Sequence, residues 1–394
     1  MSASRRALVA ISAFNLFRGA AIGLYQAVFP MYMVILGYNM RDLGLVISAS
    51  SLIAGALSPL MGSFIERKGA KNAVSLTGAL LALSFAILVV GSSPLSLFSS
   101  YLLFFASFAF GQPARAAYLA YSASMASLGA YIGLSSMAFS LGRMLGPGSG
   151  GFIAGALGFT TAFLAGLAVV ALATASFYHG APAVNGRGGD RAGSAHGEGY
   201  SLFSAYKRLA LMGRKAPFLY LTVAVDRFAW TLWFPMLSAH LYASGLGEEL
   251  SGLVLTVMST AQTLSLPLWG KLVDRTDPRK VIAASELLGV ASISMIMDPL
   301  PLARSMVGGF MMGLSIGAWI PSYNKIVALV FKRRFGEAYA GVSSLRMLSG
   351  APSPLVGGAL YEALGSTLVF SASIAMLVVA SLLSMGIRTD ARIE

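Results

Sequence analysis

Long apolar runs separated by short polar stretches extend along the whole chain. Most runs are long enough to cross the hydrocarbon core of a bilayer, which takes about 20 helical residues. The short alternating segments of a membrane barrel are missing, so helices are the predicted spanning element. We number the predicted spans as helices 1 to 12; they lie at about residues 7–36, 43–65, 73–92, 95–122, 128–153, 158–179, 216–243, 250–270, 280–297, 301–329, 337–360 and 366–387.

A polar, Gly-rich stretch at 180–213 interrupts this pattern. Its composition is typical of a linker. It therefore predicts two bundles of six helices, at 1–179 and 214–394, joined by a cytoplasmic linker.

The end of this linker, residues 201–212, places Leu202, Tyr206 and Leu209 at helical spacing beside basic residues. This pattern predicts a helix on the inner membrane surface; the alternative is a disordered tether.

The first apolar run of the chain is too long for a signal-peptide core, so we expect it to remain as helix 1.

Composition agrees with a membrane protein, since 56% of the residues are hydrophobic and 11% are charged. Soluble domains carry about 25% charged residues. With the amino terminus inside, 20 Lys and Arg residues lie on the cytoplasmic side and only Arg41 and Arg304 lie outside. This bias follows the positive-inside rule. It predicts a multi-pass protein of the cytoplasmic membrane with both termini in the cytoplasm, and it explains the net charge of +13 without a nucleic-acid partner.

The residues that usually carry enzyme chemistry are scarce. There is no cysteine, and the three histidines are His179, His196 and His240. Neither an HExxH nor a GxxxxGK[ST] pattern occurs. We therefore predict no catalytic residue, metal site or cofactor, and a protein that is not an enzyme.

The two halves of the chain repeat each other at a constant offset of 208 residues. Chance matches between common residues would not keep one offset across four helices. Repeated halves usually rock about a substrate site near the bilayer midplane. The matches include Gly44-Leu45-Val46 with Gly252-Leu253-Val254, Pro59 with Pro267, Gly62 with Gly270, Arg67 with Arg275, Pro113 with Pro321, and Gly142 and Gly150 with Gly350 and Gly358.

Related loops follow helices 2 and 8. The first reads GSFIERKGAK over residues 62–71 and the second GKLVDRTDPR over residues 270–279. Both are similar to the G-x-x-x-D-R-x-G-R-R/K loop of the major facilitator superfamily, a family of secondary transporters. The resemblance covers essentially the whole chain and implies an all-α membrane fold of two pseudo-symmetric six-helix bundles. It also implies a conformational latch made of Gly62, Glu66, Arg67, Gly270, Asp274 and Arg275; the alternative is a loop that only sets the topology.

Helix 5 carries GRMLGPGSGG over residues 142–151. It resembles the G-x-x-x-G-P-x-x-G-G motif associated with proton-coupled exporters of the same family. The matching positions are Gly142, Gly146, Pro147, Gly150 and Gly151. A face of small residues also permits close helix packing, which explains the motif equally well.

Charged residues inside the spans are the candidates for function. A charge at the bilayer centre costs at least about 2.5–3.5 kcal/mol, so such residues normally line water or pair. The resemblance implies that helices 1, 4, 7 and 10 line a cavity, and bases outnumber acids there. The surplus predicts an anionic substrate; the alternative is that some bases bind carbonyl groups at helix ends. The intramembrane charges are Arg18, Arg115, Arg143, Arg227, Lys325, Arg346, Asp226 and Glu286.

Arg18 and Arg227 lie about ten residues into their helices, near the midplane. They are similar to the paired arginines of organophosphate:phosphate antiporters, and two guanidinium groups can clamp a phosphate or carboxylate. Asp226 is the candidate proton carrier, with a permanent ion pair to arginine as the alternative. Glu286 is expected to be a latch partner.

Aromatic and amide side chains of the same four helices complete the predicted pocket. The aromatic ones have lipid contact or packing as alternatives. The pocket residues are Tyr25, Gln26, Gln112, Tyr118, Trp230, Trp233, Trp319, Tyr323 and Asn324.

These features predict a secondary active transporter that moves a small organic anion by alternating access, driven by protons or by anion exchange. Proton-coupled multidrug efflux is the alternative, favoured by the helix 5 motif, and a non-transporting membrane receptor is a third possibility. We expect a monomer in the lipid bilayer.

Overall fold

The computed structural model of the chain describes residues 3–57, 59–123, 128–183, 213, 216–331 and 335–388. Within these ranges, helices are the only regular secondary structure. They number twelve when the segments of interrupted helices are joined, which confirms the predicted fold class. The predicted surface helix at 201–212 lies outside the described residues.

The described residues of the first half form six helices. They are α1 (Ala3–Ile35), α2 (segments Met40–Leu57 and Pro59–Lys68), α3 (Ala70–Val90), α4 (Pro94–Ser122), α5 (Leu128–Leu157) and α6 (Phe159–Gly180). The first turn of α4 is held by Ser93, whose side chain accepts a hydrogen bond from Ser96 N, and by Pro94 at the first helical position. The helices α3 and α6 follow Gly69 and Gly158, whose φ of 84° suits glycine.

The described residues of the second half also form six helices, and two of them are interrupted. The helices are α7 (Pro217–Thr231, then Phe234–Met236, Leu237–Leu241 and Tyr242–Leu246), α8 (Gly247–Arg275), α9 (Pro278–Ile296), α10 (Leu302–Val330), α11 (Phe335–Gly350 and Ser353–Leu364) and α12 (Ser366–Met385). In α7 the regular helix ends at Thr231, shortly before Pro235, which lacks the N–H that would continue it. In α11 the two segments are separated just before Ser353 by Pro352.

Six of these helical segments are by themselves long and apolar enough to cross a membrane, counting only described residues. They are α1, the first segment of α2, α3, α4, α6 and α12. The other helices carry charges, or are divided into shorter segments as α7 and α11 are.

The described residues fall into two compact units. Unit 1 comprises those of 1–37, 49–197 and 247–256, and unit 2 comprises those of 38–48, 198–246 and 257–388. The start of α2 therefore groups with unit 2, where Glu362 Oε1 accepts a hydrogen bond from Met40 N at 2.7 Å. The start of α8 groups with unit 1. The predicted bundle boundary at 180–213 stays a prediction.

The internal repeat is visible in serine hydrogen bonds. Two bonds link α3 to α4 in unit 1, and two bonds at the equivalent positions link α9 to α10 in unit 2. Their positions keep the offset of 208 residues. The bonds run from Ser107 Oγ to Thr77 O (2.7 Å), Ser100 Oγ to Ser84 O (2.8 Å), Ser315 Oγ to Ser285 O (2.8 Å) and Ser292 Oγ to Gly308 O (2.8 Å).

The small residues of the helix 5 motif hold α5 directly against α1. A Cβ atom on Gly142 would overlap the carbonyl oxygen of Leu16, and one on Gly146 would overlap that of Ala20. Gly151 lies against α8, where a Cβ would be 2.5 Å from Glu248 O. Close backbone packing within unit 1 thus accounts for the spacing of the motif.

Candidate functional site

Arg18 lies inside unit 1 and is 5% exposed. Its Nη2 donates to Ser107 O at 2.7 Å, and its guanidinium lies against Gly111, whose missing Cβ leaves the space for it. The Arg18 Nε is buried without a hydrogen-bond partner. No ion pair joins Arg18 to a carboxylate among the described residues. The interior of unit 1 therefore holds a positive charge that no carboxylate of the described chain neutralises.

A small cavity borders this guanidinium. Arg18, Gln112 and Arg115 line it together with Phe108, Gly111 and Phe139. Arg115 Nη2 donates to Gln112 Oε1 at 2.6 Å. The volume of this cavity, measured as the space open to the centre of a water molecule, is only about 10 Å³. This is room for one water molecule, so the structure brings three predicted site residues together but leaves no space for a solute between them.

The remaining predicted site residues of α1 differ in environment. Tyr25 is fully buried among aromatic rings, stacked on Phe104 at 4.1 Å between centroids, and its hydroxyl lies 2.7 Å from Ser100 Oγ. This environment is that of a packing residue. Gln26, the next residue, is exposed.

In unit 2, two acidic side chains meet. Asp226 of α7 is 3% exposed and Glu286 of α9 is 1% exposed. Their carboxyl groups are neighbours, with the Arg346 and Arg227 guanidinium groups in electrostatic range. Yet neither Glu286 oxygen has a hydrogen bond of good geometry to a described residue. We expected Glu286 to be a latch partner. This expectation is wrong, because Glu286 lies beside Asp226 in the interior of unit 2.

Aromatic rings of α10 complete this acidic cluster. Trp319 and Tyr323 stack at 4.6 Å with planes 15° apart. The Arg346 guanidinium lies over both rings, 4.2 Å from the Trp319 centroid and 5.5 Å from that of Tyr323. Trp319 also lies beside Glu286. Arg346 is thus held by cation–π contacts next to the carboxyl pair.

Arg227 packs against α11 beside this cluster. Its Cγ and Nε pack on Gly350, where a Cβ would lie 3.0 Å from each. Adjacent residues on a helix diverge by about 100°, which lets Asp226 and Arg227 face different neighbours. Trp230 lies against Gly289 of α9, and Trp233 Nε1 donates to Ser373 Oγ at 3.0 Å in the packed interior.

Lys325 contacts the end of α8. Its Nζ donates to Val273 O and lies 3.9 Å from Asp274 Oδ1. This contact matches the alternative given above for the intramembrane bases, in which a base binds a carbonyl group at a helix end. The neighbouring Asn324 is partly buried.

The predicted latch residues lie at the ends of α2 and α8. Glu66 and Arg67 are exposed, as are Asp274 and Arg275. Gly62 and Gly270 lie within the helices. In the second copy, Asp274 has Lys325 of α10 as its nearest base, a partner that the loop motif alone does not reveal.

The serine bonds clarify how the intramembrane charges correspond. At their offset of 208 residues, Arg18 is equivalent to Asp226 rather than to Arg227, and Gly78 is equivalent to Glu286. The position shared by Arg18 and Asp226 therefore carries opposite charges in the two units. Sequence reasoning placed Asp226 correctly as a buried acid but missed Glu286 and Arg346 as its neighbours.

The sequence profile of the Major Facilitator Superfamily matches residues 11–218 and again residues 219–393. The chain belongs to the major facilitator superfamily. This membership confirms the resemblance of the two loops, and it confirms that the chain is a multi-pass membrane protein and not an enzyme.

Similar proteins come from the same family. The multidrug resistance protein MdtG of Enterobacter lignolyticus (strain SCF1) is 31% identical over 140 residues, which cover 34% of this chain. The match spans only 32% of the MdtG length. Among solved structures, a mutant of the nucleoside transporter NupG aligns with a TM-score of 0.75 and 14% identity, covering 96% of this chain and 99% of that one.

A bacterial homologue of the human lysosomal transporter Spinster, solved in an inward-facing and occupied conformation, also aligns with a TM-score of 0.75 and 14% identity. It covers 96% of this chain and 95% of that one. These two structures establish the shared fold.

Proposed function

We propose that the chain is a secondary active transporter that moves a small organic anion across the cytoplasmic membrane by alternating access, as a monomer with both termini in the cytoplasm. The observation that carries this proposal is the Arg18 guanidinium. It is buried, it keeps an unused donor at Nε, and no described carboxylate pairs with it. A buried charge that no opposite charge balances is costly, so such a residue needs a reason to persist.

An anion supplies that reason. A guanidinium presents five donors in a planar fork that matches a carboxylate or phosphate. Arg115 adds a second positive charge beside the same cavity. Protons or a counter-anion are the proposed driving solute.

The proposal is tested by thermal unfolding of the purified full-length protein in detergent. Benzoate, citrate and inorganic phosphate are compared with tetraphenylphosphonium. A ligand present at 100 times its dissociation constant stabilises a protein by about 2.7 kcal/mol. We expect stabilisation by an anion that is lost in Arg18→Gln and kept in the matched surface control Arg304→Gln, whose side chain pairs with exposed Asp298.

Proton-coupled multidrug efflux is the second candidate, because the relative MdtG is named a multidrug resistance protein. Stabilisation by tetraphenylphosphonium that is insensitive to Arg18→Gln would favour it over anion transport. Counterflow of the stabilising solute in proteoliposomes then separates a transporter from a receptor, which binds without exchange.

A further inference from the structure

The carboxyl pair inside unit 2 is the feature that the proposed anion clamp leaves without a role. Asp226 and Glu286 come from α7 and α9, and both are almost completely buried. Their carboxyl groups lie side by side. In this interior, water cannot solvate two negative charges.

Two neighbouring buried carboxylates cannot both be ionised, because each negative charge disfavours the other. A direct ion pair with each would relieve this, but no described base lies within ion-pair distance of either group. Both Glu286 oxygens also lack a hydrogen bond of good geometry. A proton held between the two groups satisfies an oxygen of each and removes one charge.

Two helices place a charged group near the pair. Beyond the pair itself, α7 contributes Arg227 and α11 contributes Arg346. Of the titratable groups of α10, Tyr323 stacks on Trp319. The other two, Arg304 and Lys325, pair with Asp298 and with Val273 O. The buried residues of α12 are apolar or serine: Val369, Phe370, Ser373, Leu377, Ala380, Ser381 and Ser384.

We propose that Asp226 and Glu286 share one proton and together form a proton-binding site, with Arg346 as the positioning residue that balances the pair when the proton leaves. Arg346 suits this role because the rings of Trp319 and Tyr323 hold its guanidinium next to the pair rather than in direct contact with it. The coupling of this proton to solute movement rests on the proposed transport function. The existence of the shared proton does not.

The repeat shows that this site belongs to one half only. The position equivalent to Glu286 is Gly78, where a Cβ would meet Thr174 and Phe14, and the position equivalent to Asp226 is Arg18. Unit 1 therefore offers no second carboxyl pair at these positions.

The first test needs no solute. Infrared difference spectroscopy of the purified protein follows the C=O stretch of protonated carboxyl groups as the pH is changed. We expect a band whose titration midpoint moves to lower pH by more than one unit in both Asp226→Asn and Glu286→Gln, since each substitution removes the like charge that retains the proton.

Matched variants make this result interpretable. Asp298→Asn changes an exposed carboxylate and should leave the midpoint unchanged. The double exchange Asp226→Glu with Glu286→Asp keeps both carboxyl groups and should restore a band that titrates as a pair. A wild-type protein without a protonated carboxyl band near neutral pH, or a Glu286→Gln protein with the wild-type midpoint, would overturn the proposal.

The second test addresses coupling. Benzoate or phosphate is added to the weakly buffered protein, and a pH-sensitive dye reports proton uptake or release. We expect about one proton per bound anion in the wild type and none in either single variant, with anion affinity changed less than about tenfold. Absence of any anion binding would refute the proposed function and leave the infrared result to decide the pair. Unchanged proton exchange in Glu286→Gln would refute its part in coupling.

Discussion

The contact between α1 and α5 allows a sharp test of how small residues hold unit 1 together. Gly142→Ala adds a Cβ that would overlap Leu16 O and lie 2.8 Å from Ala20 N. Both are backbone atoms, so no side-chain rotation can relieve the contact. Gly133 lies on the same helix with nothing within 4 Å of a Cβ, which makes Gly133→Ala a matched control.

Gly133→Ala should raise the free energy of unfolding, whereas Gly142→Ala should lower it. Replacing a helical glycine by alanine gains about 1 kcal/mol in helix propensity, and this gain is all that Gly133→Ala receives. Overpacking costs about 1–3 kcal/mol, and the rigid contact of Gly142 places it near the upper end. Gly142→Ala should therefore lose about 2 kcal/mol overall, so that the variants differ by about 3 kcal/mol.

The assay is thermal unfolding of both variants in the same detergent, followed by intrinsic fluorescence. We expect Gly133→Ala to unfold at or above the wild-type temperature and Gly142→Ala clearly below it. If Gly142→Ala were as stable as Gly133→Ala, the glycine spacing of α5 would not be explained by packing, and the export-related meaning of the motif would regain weight.

Three further predictions concern individual hydrogen bonds. Asp277 caps α9 and pairs with Arg279, whose hydrogen bonds lower the pKa of the Asp277 carboxyl group. Asp277→Ala should therefore cost about 1 kcal/mol of stability at pH 7, and less as the pH falls below about 4 and the carboxylate becomes protonated. Unfolding temperatures measured at pH 7 and pH 3 check this. Ser107→Ala and Ser315→Ala should each cost about 0.6 kcal/mol of stability in the same unfolding assay. Their effects should add in the double variant because the bonds lie in different units. A larger loss in Ser107→Ala than in Ser315→Ala would show that Ser107 also orders the Arg18 side chain. Lys325→Met removes a cation at the end of α8 and should lower stability by about 0.3–1 kcal/mol, measured by the same unfolding assay.

The fold could be predicted because its signal is long and repeated. The lengths of the apolar runs predict twelve spans, and the constant offset of 208 residues predicts two equivalent halves. The interruptions of α7 were less predictable: Pro235 signals the first, but the turn at Gly245, with a φ of 94°, follows a stretch that is apolar in pattern. Hydropathy reports whether a segment prefers lipid and contains little information on where the backbone bends.

The charged cluster could be predicted only in part, for a physical reason. In a helix that is apolar all round, periodicity does not show which face meets which neighbour. The burial of Asp226 follows from its depth in the span, whereas its contact with Glu286 depends on how α9 is rotated. Gln112 and Arg115 are a simpler case, because they lie three residues apart on one helix face and pair within the same helix.

The serine bonds between paired helices have a consequence for the turns that join them. Ser84 and Ser100 are 16 residues apart, and so are Ser292 and Gly308. The intervening turns, residues 91–93 and 297–301, have unrelated sequences. One added residue in either turn would rotate the following helix positions by about 100° and advance them by about 1.5 Å. The turns thus differ in sequence and in length, whereas the number of residues between the bonded positions is the same in both units.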